Sequence, residues 1–252
     1  MTDAFDGLHM GMTAENVARE WSVSREAQDL FALQSQLKCQ RAREGGEFGA
    51  EIVPVSVESK SGVVRIVEDE FPRAGSTIEG LKKLRPCFLK DGCGTVTAGN
   101  ASGINDGAAA LLLMGETEMK SRGMTMMKPP LARIVGWGQA GVDPKVMGTG
   151  PIPAIRAALA NVSWTKDEVD LFEVNEAFAA QAIAVVETLG LDAAKVNVRG
   201  GAIALGHPIG ASGARILVTL VHAMTTKGAR KGVAALCVGG GMGIAVCVER
   251  DA

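Results

Sequence analysis

Hydrophobic residues follow helical spacing near the amino terminus, then alternate in pairs, then switch between the two periods. Ser24 precedes a run with Glu26 in its first turn and Ala27, Leu30, Phe31 and Leu37 as an apolar stripe, which predicts a helix ended by Gly45-Gly46. Residues 51–57 and 63–67 alternate and are joined through Lys60-Ser61-Gly62, the pattern of a hairpin. Pro72, Gly75 and Gly80 mark an irregular loop. The run T-V-T-A-G-N-A-S-G-I-N-D-G-A-A-A-L-L-L from Thr95 predicts a short strand, a polar loop and a small-residue helix. Lys128-Pro129-Pro130 then breaks the chain, because consecutive prolines exclude both helix and central strand.

Beyond the prolines strands and helices alternate. Strands are expected over 131–136, 169–174, 195–198, 232–238 and 244–249, and helices over 152–160, 176–189 and 210–226. That alternation implies an α/β fold around a buried mixed sheet. Its last two strands, joined by Gly239-Gly240-Gly241, should be antiparallel neighbours. The expected division is 1–127 and 128–252. No 20–50-residue period repeats, which excludes a solenoid.

Composition narrows the function classes. The 252 residues carry a net charge of -2 with Lys and Arg scattered, so no basic footprint for nucleic acid exists. The longest apolar run, 215–224, is broken by Thr219 and His222 and is too short for a membrane span. The first residues lack the basic and apolar regions of a signal peptide. Five cysteines (Cys39, Cys87, Cys93, Cys237, Cys247) form no C-x-x-C pair, which argues for a reducing compartment over a disulfide framework. With three histidines and no H-E-x-x-H or Cys/His cluster, no metal site is expected. The 32 glycines fit tight turns and close ligand approach, or simply a loop-rich fold.

Five motifs carry candidate chemistry. In G-G-A-I-A-L-G-H-P-I-G-A-S-G, glycines bracket His207 just before a helix, and the spacing is not that of a nucleotide-binding loop. A lone loop histidine is more often a surface residue than a catalytic one. In A-A-L-C-V-G-G-G-M-G, Cys237 ends an apolar strand before three glycines whose bare N–H groups could meet an oxyanion. Free cysteine is more often a buried small hydrophobe, the preferred reading for Cys247, and the glycine turn tips Cys237 the other way. Asn175 in N-E-A-F could hold a substrate oxygen or water, or cap a helix. Ser102 and Asn105 in G-N-A-S-G-I-N-D-G could shape a turn or bind phosphate or amide groups. His9 and Met10 lie on the approach to a helix that Thr13 could cap, where packing is the simpler role. His222, within an apolar helix, reads as a core or interface residue.

Taken together, in this order and at these distances, the motifs resemble the thiolase family, over essentially the whole chain. G-H-P-I-G-A-S-G with C-V-G-G-G-M-G is the most specific part, and the H-M-G-M-T-A-E-N form is similar to the short-chain branch of cytosolic acetyl-CoA C-acetyltransferases. The resemblance implies a thiolase-like fold: a complete carboxy-terminal mixed-sheet domain, a loop region and a partial amino-terminal domain. It implies an acyltransferase that condenses two acetyl-CoA into acetoacetyl-CoA and CoA, reversibly, with coenzyme A thioesters as substrates and no cofactor. His207 would activate the nucleophile, Cys237 would act as acid/base, Asn175 would hold a water of one oxyanion hole, and Gly239 would contribute its N–H to the other. Arg73, Ser76, Ser102, His9, Met10 and Phe178 would contact the coenzyme and acyl group. The family's acyl-carrying cysteine belongs to a C-x-S-G-like motif upstream of H-M-G, and no cysteine precedes His9 here. By resemblance, roughly the first third of the enzyme is absent, and this fragment alone should be inactive. The segment 124–131 is longer than the family's usual link. A homo-oligomer, dimer or tetramer, is implied, in the cytoplasm, with the mitochondrion as the alternative; V-E-R-D-A carries no S-K-L address. Two other readings stand beside this one: a longer-chain 3-ketoacyl-CoA thiolase, and a catalytically incompetent CoA-binding relative.

Overall fold

The computed structural model describes residues 1–124 and 130–251. Most of the proline-rich boundary and the long link therefore lie outside the described residues. The amino-terminal part holds helices α1 (Met10–Glu20) and α2 (Arg25–Glu44), a hairpin of β1 (Val55–Ser59) and β2 (Gly62–Ile66), and short helices α3 (Ile78–Lys82) and α4 (Glu116–Ser121). The carboxy-terminal part runs β3 (Arg133–Gly141), α5 (Pro151–Asn161), β4 (Leu171–Val174), α6 (Ala179–Leu189), α7 (Ala202–Leu205), α8 (Ser212–Lys227), β5 (Lys231–Val238) and β6 (Met242–Glu249).

The four later strands form one mixed sheet in the order β3-β6-β5-β4. Strands β4 and β5 are parallel, and β5 and β6 are the expected antiparallel neighbours. Alternation along each strand gives the sheet two apolar faces. Phe172, Val174, Val233, Ala235, Ala245 and Cys247 pack under α5 and α6 with Ile155, Ala158 and Val185. Leu171, Ala234 and Val248 meet Ile216, Leu220, Ala223 and Met224 of α8 on the other face. The sheet is thus covered on both sides, as parallel pairing requires.

Four sequence expectations are corrected. Ser24 does cap α2, its Oγ accepting from Ala27 N–H at 3.1 Å, but the expected stripe is not the buried face. Leu30 is 54% exposed, while Gln28, Asp29, Ala32, Ser35, Gln36, Cys39 and Ala42 are buried. The helix packs partly against loop backbone and polar side chains, so its inner face must supply hydrogen bonds beside the apolar contacts of Ala32, Cys39 and Ala42. Thr13 caps nothing: α1 starts at Met10, His9 Nδ1 accepts from Gly11 N–H, and the Thr13 hydroxyl donates to the Met10 carbonyl. No helix forms over 107–115 despite its helix-forming composition. The preceding loop is tied to the carboxy-terminal domain, and the chain turns helical only at Glu116. Leu112 there is 84% exposed, and no strand among the described residues pairs with this run. The strand over 195–198 reduces to one bridge between Phe172 and Val196, because Asn197 adopts φ 45° and turns the chain.

Candidate active site

The site is built at the carboxyl end of the parallel pair β4–β5, the usual place for ligands in open α/β sheets. The ladder ends at Val174↔Ala235 and continues by one bond, Asn175 N–H to the Ala235 carbonyl at 2.9 Å. Two residues further along β5 is Cys237. Strand alternation puts it on the face of Val233 and Ala235, and it packs with Met10, Ala14, Val96, Met147, Ala177 and Phe178. The turn after it holds Gly240 at φ 88° and Gly241 at φ 85°, a backbone that favours glycine.

Asn175 does not cap a helix. Helix α6 begins at Ala179 with Phe178 as its cap residue. Instead Asn175, fully buried, places Nδ2 3.3 Å from His207 Nε2. The other ring nitrogen, Nδ1, contacts Ser212 Oγ. His207 is half-buried, and burial, followed by the charge of Arg215, holds its pKa below the ordinary histidine value. Its loop is fixed from the other side by the 99–107 segment. Ile104 bridges to His207, whose N–H donates to the Gly103 carbonyl at 3.2 Å and to Asn105 Oδ1 at 3.3 Å. Gly206 sits at φ 94°, where a Cβ would lie 2.4 Å from that Asn105 oxygen. The Asn105 loop therefore shapes the histidine loop by close approach.

The same segment anchors N-E-A-F. Ser102 donates its N–H and its hydroxyl to the Ala177 carbonyl at 3.0 and 2.9 Å, and Ala101 bridges to Phe178. His9 stacks on Phe88 at 4.8 Å, and Phe88 meets Phe178 edge-on at 6.4 Å. Met10 Sδ is 4.0 Å from where a Gly239 Cβ would stand. Met10, Phe178, Cys237 and Gly239 thus gather at one spot, with His9 behind Phe88. Arg73 and Ser76 lie elsewhere: Ser76 donates to the Arg73 carbonyl, and Arg73 lines a shallow cleft of about 320 Å³ with Gln36, Gln40 and Arg43.

Buried polar residues that the motif reading overlooked hold this arrangement. Glu173 pairs with Arg215 at 3.1 Å, and an Arg215 Nη2 N–H reaches Asn175 Oδ1 at 3.4 Å. Glu176 accepts from Ser35 Oγ at 2.6 Å, Asn197 Nδ2 at 2.8 Å and Ile203 N–H at 3.2 Å. The Asn197 amide also pairs with both backbone groups of Val174, imitating a strand. Burial raises Glu173 to about 7 and also raises Glu176. A signal existed: L-F-E-V-N-E-A-F places two acids in an apolar segment, and buried acids need partners.

Burial also lifts the Cys237 thiol to about 11, so it is protonated at neutral pH. Cys39 and Cys247, fully buried, are raised to about 11 as well. Cys87 and Cys93 are exposed. Among the described residues no group of three or more His, Cys, Asp or Glu could hold a metal ion, and no helix is long and apolar enough to cross a membrane.

Comparison with known proteins places this geometry. Residues 1–117 match the thiolase amino-terminal domain and residues 128–250 the thiolase carboxy-terminal domain. Cytosolic acetyl-CoA acetyltransferase of Rattus norvegicus is 59% identical over 250 residues, covering 99% of this chain and 62% of the relative. The crystal structure of Bacillus anthracis acetyl-CoA acetyltransferase superposes with a TM-score of 0.94 at 50% identity, covering 98% of this chain and 61% of that one. Human mitochondrial 3-ketoacyl-CoA thiolase in complex with CoA gives 0.92 at 47% identity, covering 99% and 61%. The chain spans about 62% of the length of the curated relatives it matches. With both domain models matched along it, the chain belongs to the thiolase family.

Proposed function

We propose that this chain carries the proton-transfer and oxyanion-binding half of an acetyl-CoA C-acetyltransferase, and that the cysteine that carries the acyl group is not one of its five. The observation that supports this best is the pairing of Asn175 Nδ2 with His207 Nε2 at 3.3 Å, at the sheet end where Cys237 stands. The relatives named acetyl-CoA acetyltransferase and the CoA complex of a related thiolase favour coenzyme A thioesters as substrates.

The chemistry follows from the protonation states. His207, neutral because its pKa is held low, takes the proton of a nucleophilic cysteine. The thiolate adds to the carbonyl of acetyl-CoA, and the departing CoA thiolate takes its proton from the Cys237 thiol. A thiol raised to about 11 starts as an acid and becomes a strong base once it has given its proton away. That thiolate then removes a methyl proton from a second acetyl-CoA. The resulting enolate attacks the acetyl-enzyme, and the released cysteine recovers its proton from His207. A water held by Asn175 would complete one oxyanion hole and the Gly239 N–H would contribute to the other, and losing one such donor typically costs about 3 kcal/mol of barrier. Arg73, Ser76, Ser102, His9, Met10 and Phe178 would hold the coenzyme and acyl group, the assembled enzyme being a homo-oligomer.

The test is a chimera in which the amino-terminal third of the rat relative is joined to this chain. It should thiolyse acetoacetyl-CoA, and the 252-residue chain by itself should not. Turnover by the chain alone at an ordinary thiolase rate would overturn the proposal, and efficient thiolysis of a C8 substrate by the chimera would move it to the longer-chain branch.

A further inference from the structure

We infer that Ser212 and Arg215 are positioning residues that hold His207 in one tautomer, with its proton on Nδ1 and the lone pair of Nε2 turned to Asn175. The inference rests on the reading of His207 as the activating base, and it follows from the direction of a hydrogen-bond chain.

One end of the chain is Arg215. A guanidinium only donates, so the Asn175 atom 3.4 Å from its Nη2 must be the accepting oxygen. Glu173, almost fully buried, holds the same guanidinium at 3.1 Å. With Oδ1 pinned, the amide nitrogen of Asn175 faces His207 Nε2 at 3.3 Å and donates to it. Nε2 must then carry a lone pair. The other end is the Pro208 carbonyl, which only accepts. Lying 2.9 Å from Ser212 Oγ, it can take the hydroxyl proton beside the Ala211 and Ser212 N–H groups it already accepts, which leaves an Oγ lone pair for the proton that a neutral ring with a bare Nε2 carries on Nδ1. The Arg215 end sets the polarity and the Ser212 end accommodates it. The opposite tautomer would set two N–H groups against each other at Asn175, and flipping that amide would aim its NH₂ at the guanidinium.

Sequence spacing makes the device. Ser212 and Arg215 are three residues apart in the first turn of α8, so they share the helix face turned to the histidine loop. The result is a base whose unprotonated nitrogen already lies on the Asn175 side before substrate arrives. The imidazolium formed on proton uptake keeps its Nδ1 bond to Ser212.

The test is a long-range proton–nitrogen correlation spectrum of the chain labelled with ¹⁵N-histidine, at neutral pH, with His207 assigned by loss of its signals in His207→Gln. Nδ1 should resonate as a protonated nitrogen and Nε2 as an unprotonated one. Ser212→Ala should shift the ring towards the Nε2–H form, and Ser212→Thr, which keeps the hydroxyl, should restore it. A wild-type ring protonated at Nε2 overturns the inference, as does an unchanged pattern in a folded Ser212→Ala protein. Should that variant not fold, the wild-type and Thr spectra still decide. No turnover is needed, so failure here is separable from failure of the enzymatic reading. In the chimera, the same Ala substitution should lower kcat by roughly 10²-fold, the lower end of what a positioned general base contributes, with KM little changed.

Discussion

Two buried interfaces of this molecule solve opposite problems. Between the sheet and helices α5 and α6, the contact is apolar throughout, from Ile155 and Ala158 to Phe172, Val233 and Cys247. Between α2 and the loops of the site, polar Gln28, Asp29, Ser35 and Gln36 are buried just as completely beside Ala32, Cys39 and Ala42. The first interface joins strands and helices whose backbone groups are already paired. The second meets loops as well as helices α3, α6 and α7, and the loops' polar groups must find partners in α2. Asp29 takes a hydrogen bond from Asn100, Gln36 donates to the Ile203 carbonyl, and Ser35 holds both Glu176 and the Gly201 N–H. The apolar interface supplies stability, and the polar one fixes where the site loops lie.

The contrast can be broken at each side. Phe172→Ala should cost about 3–5 kcal/mol in denaturant unfolding, because the pocket under α5 cannot fully collapse. Glu176→Leu should cost about 3 kcal/mol despite adding apolar volume, because Ser35, Asn197 and the Ile203 N–H would all lose their acceptor. A neutral result would mean that the polar interface is dispensable. A pH series sharpens the same point. Burial lifts Glu51 from 4.5 to about 7 although Arg199 lies 3.8 Å away. A carboxyl with a raised folded-state pKa favours folding below its unfolded value, and that contribution is lost as pH climbs through the folded one. Stability should therefore fall between about pH 4.5 and 7. Glu51→Gln should flatten that slope. Leu30→Lys, on the outward face of α2, should change stability by no more than about 0.5 kcal/mol.

The same contrast explains what the sequence could tell. Apolar alternation with glycine and proline boundaries was enough for β5, β6, α5 and their antiparallel closing pair, since burial on regular elements leaves a period. The α2 face was misread because its stripe was sought among large apolar residues, whereas the buried positions mix amides, a carboxylate and a hydroxyl with small Ala32, Cys39 and Ala42. The 107–115 run was misread because local helix propensity is weak against the anchoring of the preceding loop at His207 and Pro208. In the site, glycine and loop context singled out His207 and Cys237 as candidates, and the family resemblance supplied their roles and that of Asn175. Ser212, Arg215, Glu173 and Glu176 were not, because nothing in a lone serine or an ion pair's halves reveals a partner 40 residues away.

The central claim is that Cys237 moves a proton rather than carrying the acyl group. Deuterium wash-in tests it directly: the chimera is incubated with acetyl-CoA in D₂O and label in the methyl group is followed by mass spectrometry. The account predicts Cys237-dependent wash-in that drops by about 10²-fold or more in Cys237→Ser, the scale of a lost general base, while an acetyl-enzyme still accumulates. Undiminished wash-in, or acetyl found on Cys237 itself, would contradict it.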